Sequence, residues 1–248
     1  MTRFAAAAAA FAAALAAAPA SAEEVTYDAE GETFAGWFEG AEDPRGLVLI
    51  LHDWDGLTDY EKRRAAMLAE LGYDAFALDM FGPETPVQTV EHRRAATGAL
   101  YADRDRMRAL IAAGIAAART RSDAEGMAAM GYCFGGAVTL ELARSDMGAE
   151  VAGVASFHGG LSTPEGQGWS DGAPPLLILH GGADSSITMD DVATLSQELE
   201  AAGATYEIQV YSGAPHAFTV FGSDRYRERA DAESWDAFTG MLEERLGG

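Results

Sequence analysis

A single cysteine in 248 residues sits in the run GYCFGG, Gly131 to Gly136, with glycine two positions before it and two positions after. The pattern G-x-C-x-G is the cysteine form of the strand-to-helix nucleophile turn G-x-S-x-G, in which small flanking residues let backbones approach where side chains would collide. Cys133 at such a turn would expose its sulfur at the start of a helix, whose partial positive charge favours thiolate over thiol. The alternative is a buried structural thiol, a common fate of free cysteine. A nucleophile also needs a base and a group to orient that base. Asp184 follows the apolar run LLILH within HGGAD, and His216 follows YEIQVY within SGAPHAF. Taken singly, Asp184 reads as a turn or cap residue and His216 as an ordinary loop histidine. Taken with Cys133, they give the order nucleophile, acid, histidine. The backbone N–H of Phe134, next after the cysteine, and that of Trp54, after the first long apolar run, are the candidates to hold an oxyanion.

These residues need elements that bring them together. Leu47–Leu51, Ala75–Leu78, Met127–Met130, Val151–Phe157, Leu176–Leu179 and Tyr206–Tyr211 read as strands. Tyr60–Leu71, Val87–Arg119, Gly135–Arg144, Asp190–Ala202 and Ala230–Arg245 read as helices. Such alternation predicts an α/β three-layer sandwich with a mostly parallel central sheet, the α/β-hydrolase arrangement, with functional groups in loops beyond the carboxyl ends of the strands. One domain, 23–248, accounts for the pattern. Residues 1–22 read as a secretory signal peptide: Arg3 supplies the cationic start, Phe4–Ala18 is apolar and shorter than the ~20 residues of a membrane span, and Ala20-Ser21-Ala22 fits a cleavage site. An exported, periplasmic protein is expected, in which one cysteine cannot form an intramolecular disulfide. The net charge of −22 disfavours nucleic acid and anionic membrane partners and suits a solvated surface. Of the other histidines, His52 and His180 fall at strand ends, His158 in a loop and His92 in a helix. No H-x-x-x-H or cysteine-rich spacing points to a metal.

Four stretches together, HDWDGLTDY, GYCFGG, HGGAD and GAPHAF, resemble the dienelactone hydrolase family of α/β-hydrolases, with similarity from about Gly46 to the C-terminal helix. The resemblance implies a Cys133–His216–Asp184 triad that opens cyclic enol esters such as dienelactone, or small carboxylic esters, through a thioester and without a cofactor. The partner would be a small lactone or ester, and the protein a monomer or small homo-oligomer. Two positions depart from the family. Asp53 stands where the family carries a glutamate that helps ionise the thiol. Val220 stands four residues after the histidine, where family members that take the anionic dienelactone carry one of two arginines. Arg93 or Arg94 is the candidate for the other, against the reading of both as a solvated helix face. A general carboxylesterase, thioesterase or small serine-peptidase relative would share the triad. A non-catalytic exported binding protein would have no need of it.

Overall fold

Residues 21–247 are described by the computed structural model, and the apolar runs become the centre of an eight-stranded sheet in that region. An antiparallel hairpin, β1 (Ala22–Ala29) and β2 (Glu32–Glu39), forms one edge. It is followed by β3 (Leu47–Leu51), β4 (Asp74–Leu78), β5 (Met127–Tyr132), β6 (Val154–Phe157), β7 (Leu176–Gly181) and β8 (Tyr206–Tyr211). The spatial order is β1-β2-β4-β3-β5-β6-β7-β8, with β2 antiparallel to β4 and all later pairs parallel. β3 and β5 are buried along their whole length, so both faces of the middle strands need apolar side chains, which is why they read as uninterrupted runs.

Alternate residues go to alternate faces. Leu47, Leu49 and Leu51 pack with α2 (Val90–Ala102), α3 (Arg104–Arg119), α4 (Phe134–Arg144) and α5 (Met189–Ala202). Val48 and Ile50 pack with α1 (Asp59–Glu70) and α6 (Glu228–Leu246). The three-layer α/β sandwich expected from the sequence is the fold observed.

β6 begins at Val154, three residues later than read from the sequence, and two larger differences stand beside it. The hairpin β1–β2 was not expected. Its outer strand is exposed at Glu23, Glu24 and Thr26, so it lacks the apolar run of a central strand, and the turn at Glu30 and Gly31 with φ of 51° and 80° closes it. The stretch Val87–Arg119 is two helices. Asp103 leaves the helical region (φ −122°, ψ 83°) and its carboxylate accepts from the Arg106 N–H at 2.9 Å, starting α3. The expected signal segment lies outside the described residues as far as residue 20. Ser21 accepts from the Gly40 N–H and Ala22 pairs with Glu39, so the expected cleavage point falls on the first residue of β1. Among the described residues no helix is long and apolar enough to cross a membrane.

Candidate active site

β5 ends at Tyr132 and α4 begins at Phe134, leaving Cys133 alone between them at φ 52° and ψ −108°. A positive φ is costly for a residue with a Cβ, of order 1–3 kcal/mol, and persists only where the surroundings fix it. Here the Cys133 N–H donates to the Phe157 carbonyl at 3.0 Å, and the Cys133 carbonyl accepts from the Ala137 N–H at 3.3 Å. The flanking glycines make the turn feasible. A Cβ on Gly131 would lie 2.2 Å from the Gly135 carbonyl oxygen, and one on Gly135 would lie 2.0 Å from that of Leu51. The start of α4 is thus pressed directly onto the ends of β3 and β5.

The three chemistry-bearing residues meet in line. His216 Nε2 is 3.0 Å from Cys133 Sγ, and His216 Nδ1 is 2.8 Å from Asp184 Oδ2. The other Asp184 oxygen accepts from the Ser186 and Ile187 N–H groups at 2.8 and 3.0 Å. Burial pushes the Asp184 carboxyl up, but the His216 hydrogen bond and the two backbone N–H groups outweigh it and hold it below the usual carboxylate range. Burial likewise pushes His216 down, and its hydrogen bonds to Asp184 and Cys133 override this and raise it to about 10. The shift favours the charged imidazole, in which Nδ1 donates to Asp184 and Nε2 to the sulfur. His158 packs edge-on against it, ring centres 5.3 Å apart. Burial first, and then the charge on His216, hold His158 well below the usual histidine range, so it remains neutral. The loop carrying His216 is tied to α1 through Thr219. The Thr219 hydroxyl lies 2.7 Å from the Tyr60 hydroxyl and 2.8 Å from His158 Nε2, and its carbonyl accepts from the Arg64 guanidinium at 3.1 Å. Arg64 is itself buried and ion-paired with Asp231 of α6.

The loop after β3 also borders the cleft at Cys133, through Trp54. The N–H groups of Asp53, Asp55, Gly56 and Thr58 are all taken, by Glu61, the Asp53 side-chain carboxyl, the Asp53 backbone carbonyl and Glu61 respectively. Among the described residues, the N–H groups of Trp54 and Phe134 have no such acceptor. Both residues line the cleft of about 220 Å³ onto which Cys133 and His216 open. Three larger depressions, of about 370, 320 and 370 Å³, are lined by no cysteine or histidine. Sequence reasoning missed the remaining walls: Thr97 and Tyr101 from α2, Gly160 after β6, and Ser186 and Ile187 after β7. Tyr101 crosses the Phe134 ring at 5.5 Å. The i, i+4 spacing of Thr97 and Tyr101 puts them on one helix face, but only the packing of α2 shows that this face meets the sulfur.

The other expected residues lie further out. Asp53 is buried, and its carboxyl bonds the Asp55 N–H at 3.0 Å, with no hydrogen bond to Cys133 among the described residues. Burial, then Asp55 and Glu61, push it up to about 9, so it is neutral at pH 7. Arg93 stands behind Trp54 with its guanidinium 5.7 Å from that ring and 3.7 Å from Asp55, and its Nε donates to the Val87 carbonyl. Arg94 is exposed on α2. Val220 is half-buried and is not part of the cleft wall.

A parallel sheet whose central strand turns through a strained residue into a buried helix, with an acid and then a histidine in later loops, defines the α/β-hydrolase class. The model of the Dienelactone hydrolase family matches residues 34–246, and the chain belongs to that family of hydrolases. The match begins within β2, earlier than the Gly46 expected from the four stretches. A carboxymethylenebutenolidase of Rhodococcus opacus is 28% identical over 185 residues, 69% of each chain. A Salmonella typhimurium relative is 34% identical over 125 residues, a match that spans 46% of that protein. A crystal structure of a dienelactone hydrolase-like promiscuous phosphotriesterase from metagenomic libraries is 29% identical with a TM-score of 0.81, over 91% of this chain and 98% of that one.

Proposed function

We propose that the protein is an exported hydrolase of lactones and small carboxylic esters that works through a Cys133–His216–Asp184 triad and a thioester. The observation that carries this reading is the hydrogen-bonded line Sγ–Nε2–Nδ1–Oδ2, at 3.0 and 2.8 Å, beginning at a strained Cys133 that opens onto a cleft.

The sulfur attacks the ester carbonyl as thiolate, forming the C–S bond while the carbonyl electron pair moves onto oxygen. The N–H groups of Trp54 and Phe134 receive that oxyanion. Collapse breaks the C–O bond, and the leaving alkoxide takes the Nε2 proton of the His216 imidazolium. With the sulfur now acylated, His216 no longer hydrogen-bonds a free sulfur, and one cause of its raised affinity for protons is gone. It can then take a proton from water, which attacks the thioester; the thiolate departs as the C–S bond breaks. Asp184 stays ionised throughout and stabilises the imidazolium whenever it forms.

Among the described residues, no lysine or arginine lines the cleft beside Trp54, Tyr101, Phe134 and Ile187, and this favours neutral esters and lactones over carboxylated ones. The same feature favours a second activity, on neutral phosphotriesters, in line with the structural neighbour of 29% identity. Mixing the protein with a 4-nitrophenyl ester and quenching in acid tests the main reading. A mass increase of one acyl group on the peptide containing Cys133 is expected, and turnover with no acyl-protein at any time would overturn it. Export is tested at the N-terminus, where the mature protein from the periplasmic fraction should begin at Glu23.

A further inference from the structure

α1 and α5 both begin with a capping box, and the two differ in a way that capping does not explain. At α5, Thr188 and Asp191 bond each other at an exposed helix start, and Asp191 reaches nothing else. At α1 the same function falls to Glu61, which is fully buried. One of its carboxylate oxygens accepts from both the N–H and the hydroxyl of Thr58 at 2.8 Å, which completes the cap. Its other oxygen leaves the helix and accepts from the N–H of Asp53 at 3.4 Å. A buried carboxylate is costly, and an exposed one caps a helix equally well. The additional bond to Asp53 is what the buried position provides.

Asp53 and Thr58 are the two ends of the loop that carries Trp54. Between them the Asp53 side-chain carboxyl takes the Asp55 N–H and the Asp53 backbone carbonyl takes the Gly56 N–H, with Gly56 at φ 92°. His52 fixes the same residue from the strand side. Its Nε2 accepts from the Met80 N–H at 3.0 Å, so its Nδ1–H donates to the Asp53 carbonyl at 2.6 Å. Glu61 thus closes a small ring of bonds around a turn in which the Trp54 N–H is left without an acceptor.

We propose that Glu61 is a positioning residue for the oxyanion site: by holding both ends of the loop 53–58 it fixes the direction of the Trp54 N–H toward the carbonyl oxygen of the substrate. This rests on the role given above to Trp54. The substrate class implied is any acyl compound whose reaction passes through a tetrahedral oxyanion.

The test compares two reactions of the same sulfur. Hydrolysis of 4-nitrophenyl acetate builds an oxyanion in both acylation and deacylation. Alkylation of Cys133 by iodoacetamide displaces iodide and builds none. In Glu61→Ala, kcat should fall by roughly 100-fold, the effect typical of one lost oxyanion donor. KM and the alkylation rate should stay within about twofold of the wild type. Glu61→Gln, which keeps the shape and one acceptor, should fall between, and it serves in place of the alanine variant if that variant does not fold. The proposal is overturned if alkylation falls in step with kcat, because Glu61 then acts on the thiol or on the fold. A kcat within about threefold of wild type in both variants overturns it as well, as does a loss expressed only in KM. Failure of the triad reading would show separately, as hydrolysis surviving in Cys133→Ala.

Discussion

The two ends of the cleft are built by different means. At the reacting end, every polar atom of the triad has an assigned partner, the nucleophile is held in a strained conformation by two backbone hydrogen bonds, and glycines leave no room for a side chain. At the rim, Trp54, Thr97, Tyr101 and Ile187 contribute surfaces. Geometry at the reacting end is dictated by the backbone, whereas at the rim it is set by side chains that can be exchanged. Substitutions should therefore be all-or-nothing at one end and graded at the other.

The largest effect is expected from Cys133→Ala. Ester hydrolysis should vanish in a protein that keeps its thermal midpoint, because alanine carries the same Cβ through the turn and loses only the sulfur. Residual turnover in the purified variant, with no other cysteine in the chain to supply it, would place the nucleophile elsewhere.

Asp184→Asn comes next, with a loss of roughly 10³–10⁴ in kcat, as expected when a buried carboxylate no longer orients and charges its histidine. The same variant tests the electrostatics of the reacting end. His216 has its proton affinity raised from 6.5 to about 10 in the folded state. A group raised in this way contributes stability that is complete below pH 6.5 and is lost as pH climbs through about 10. Urea unfolding of the wild type should show stability declining across that window, and Asp184→Asn should flatten the decline. Parallel curves for the two proteins would mean that Asp184 does not hold the charge on His216.

Gly135→Ala separates backbone contact from chemistry. Its Cβ would meet the Leu51 carbonyl, an atom that cannot swing aside, so a loss of about 1–3 kcal/mol in stability is expected from overpacking alone. A differential scanning measurement with an unchanged midpoint would show that α4 can lift from β3 without cost.

The same division decides what the sequence could reveal. The central strands were legible because burial on both faces writes them as apolar runs, and Leu47–Leu51 coincides with β3. Tyr206–Tyr211 coincides with β8, an edge strand in which apolar and polar residues alternate. Cys133, Asp184 and His216 were legible because glycine spacing and chain order follow from the turn and the topology. The structure brings all three together. β1 and β2 were missed because an edge hairpin needs only alternate apolar residues, here Phe34 and Phe38 with Gly36 between them. Asp103 ended a helix that composition alone would have continued. The rim was illegible for a deeper reason: no periodicity says which face of α2 meets the sulfur, so Thr97 and Tyr101 went unnoticed while Arg93 and Arg94, on the same helix, stood out by charge. Glu61 was hidden as an ordinary cap.

The smallest predicted effect lies at the rim and concerns charge. An anionic lactone approaching a chain of net charge −22 meets an unfavourable field, and Arg93, one of the two arginines expected to receive it, already faces Asp55 and the Trp54 ring. Its Nε is engaged by the Val87 carbonyl, so little of its hydrogen-bonding capacity is left for a substrate carboxylate. Val220 is half-buried four residues after His216, and an arginine there tests whether a cation can be supplied from this position. A new charge-assisted hydrogen bond there is worth roughly 1.5–3 kcal/mol if fully formed, one to two factors of ten, and less at an exposed rim. Val220→Arg should therefore raise kcat/KM for a carboxylated lactone by about tenfold, chiefly through KM, and leave its methyl ester within about twofold. Equal improvement of acid and ester would mean that the arginine acts through packing. A wild type that already prefers the free acid by orders of magnitude would mean that the rim holds a cationic site made by other residues, and the contrast between a fixed reacting end and an uncommitted rim would fail.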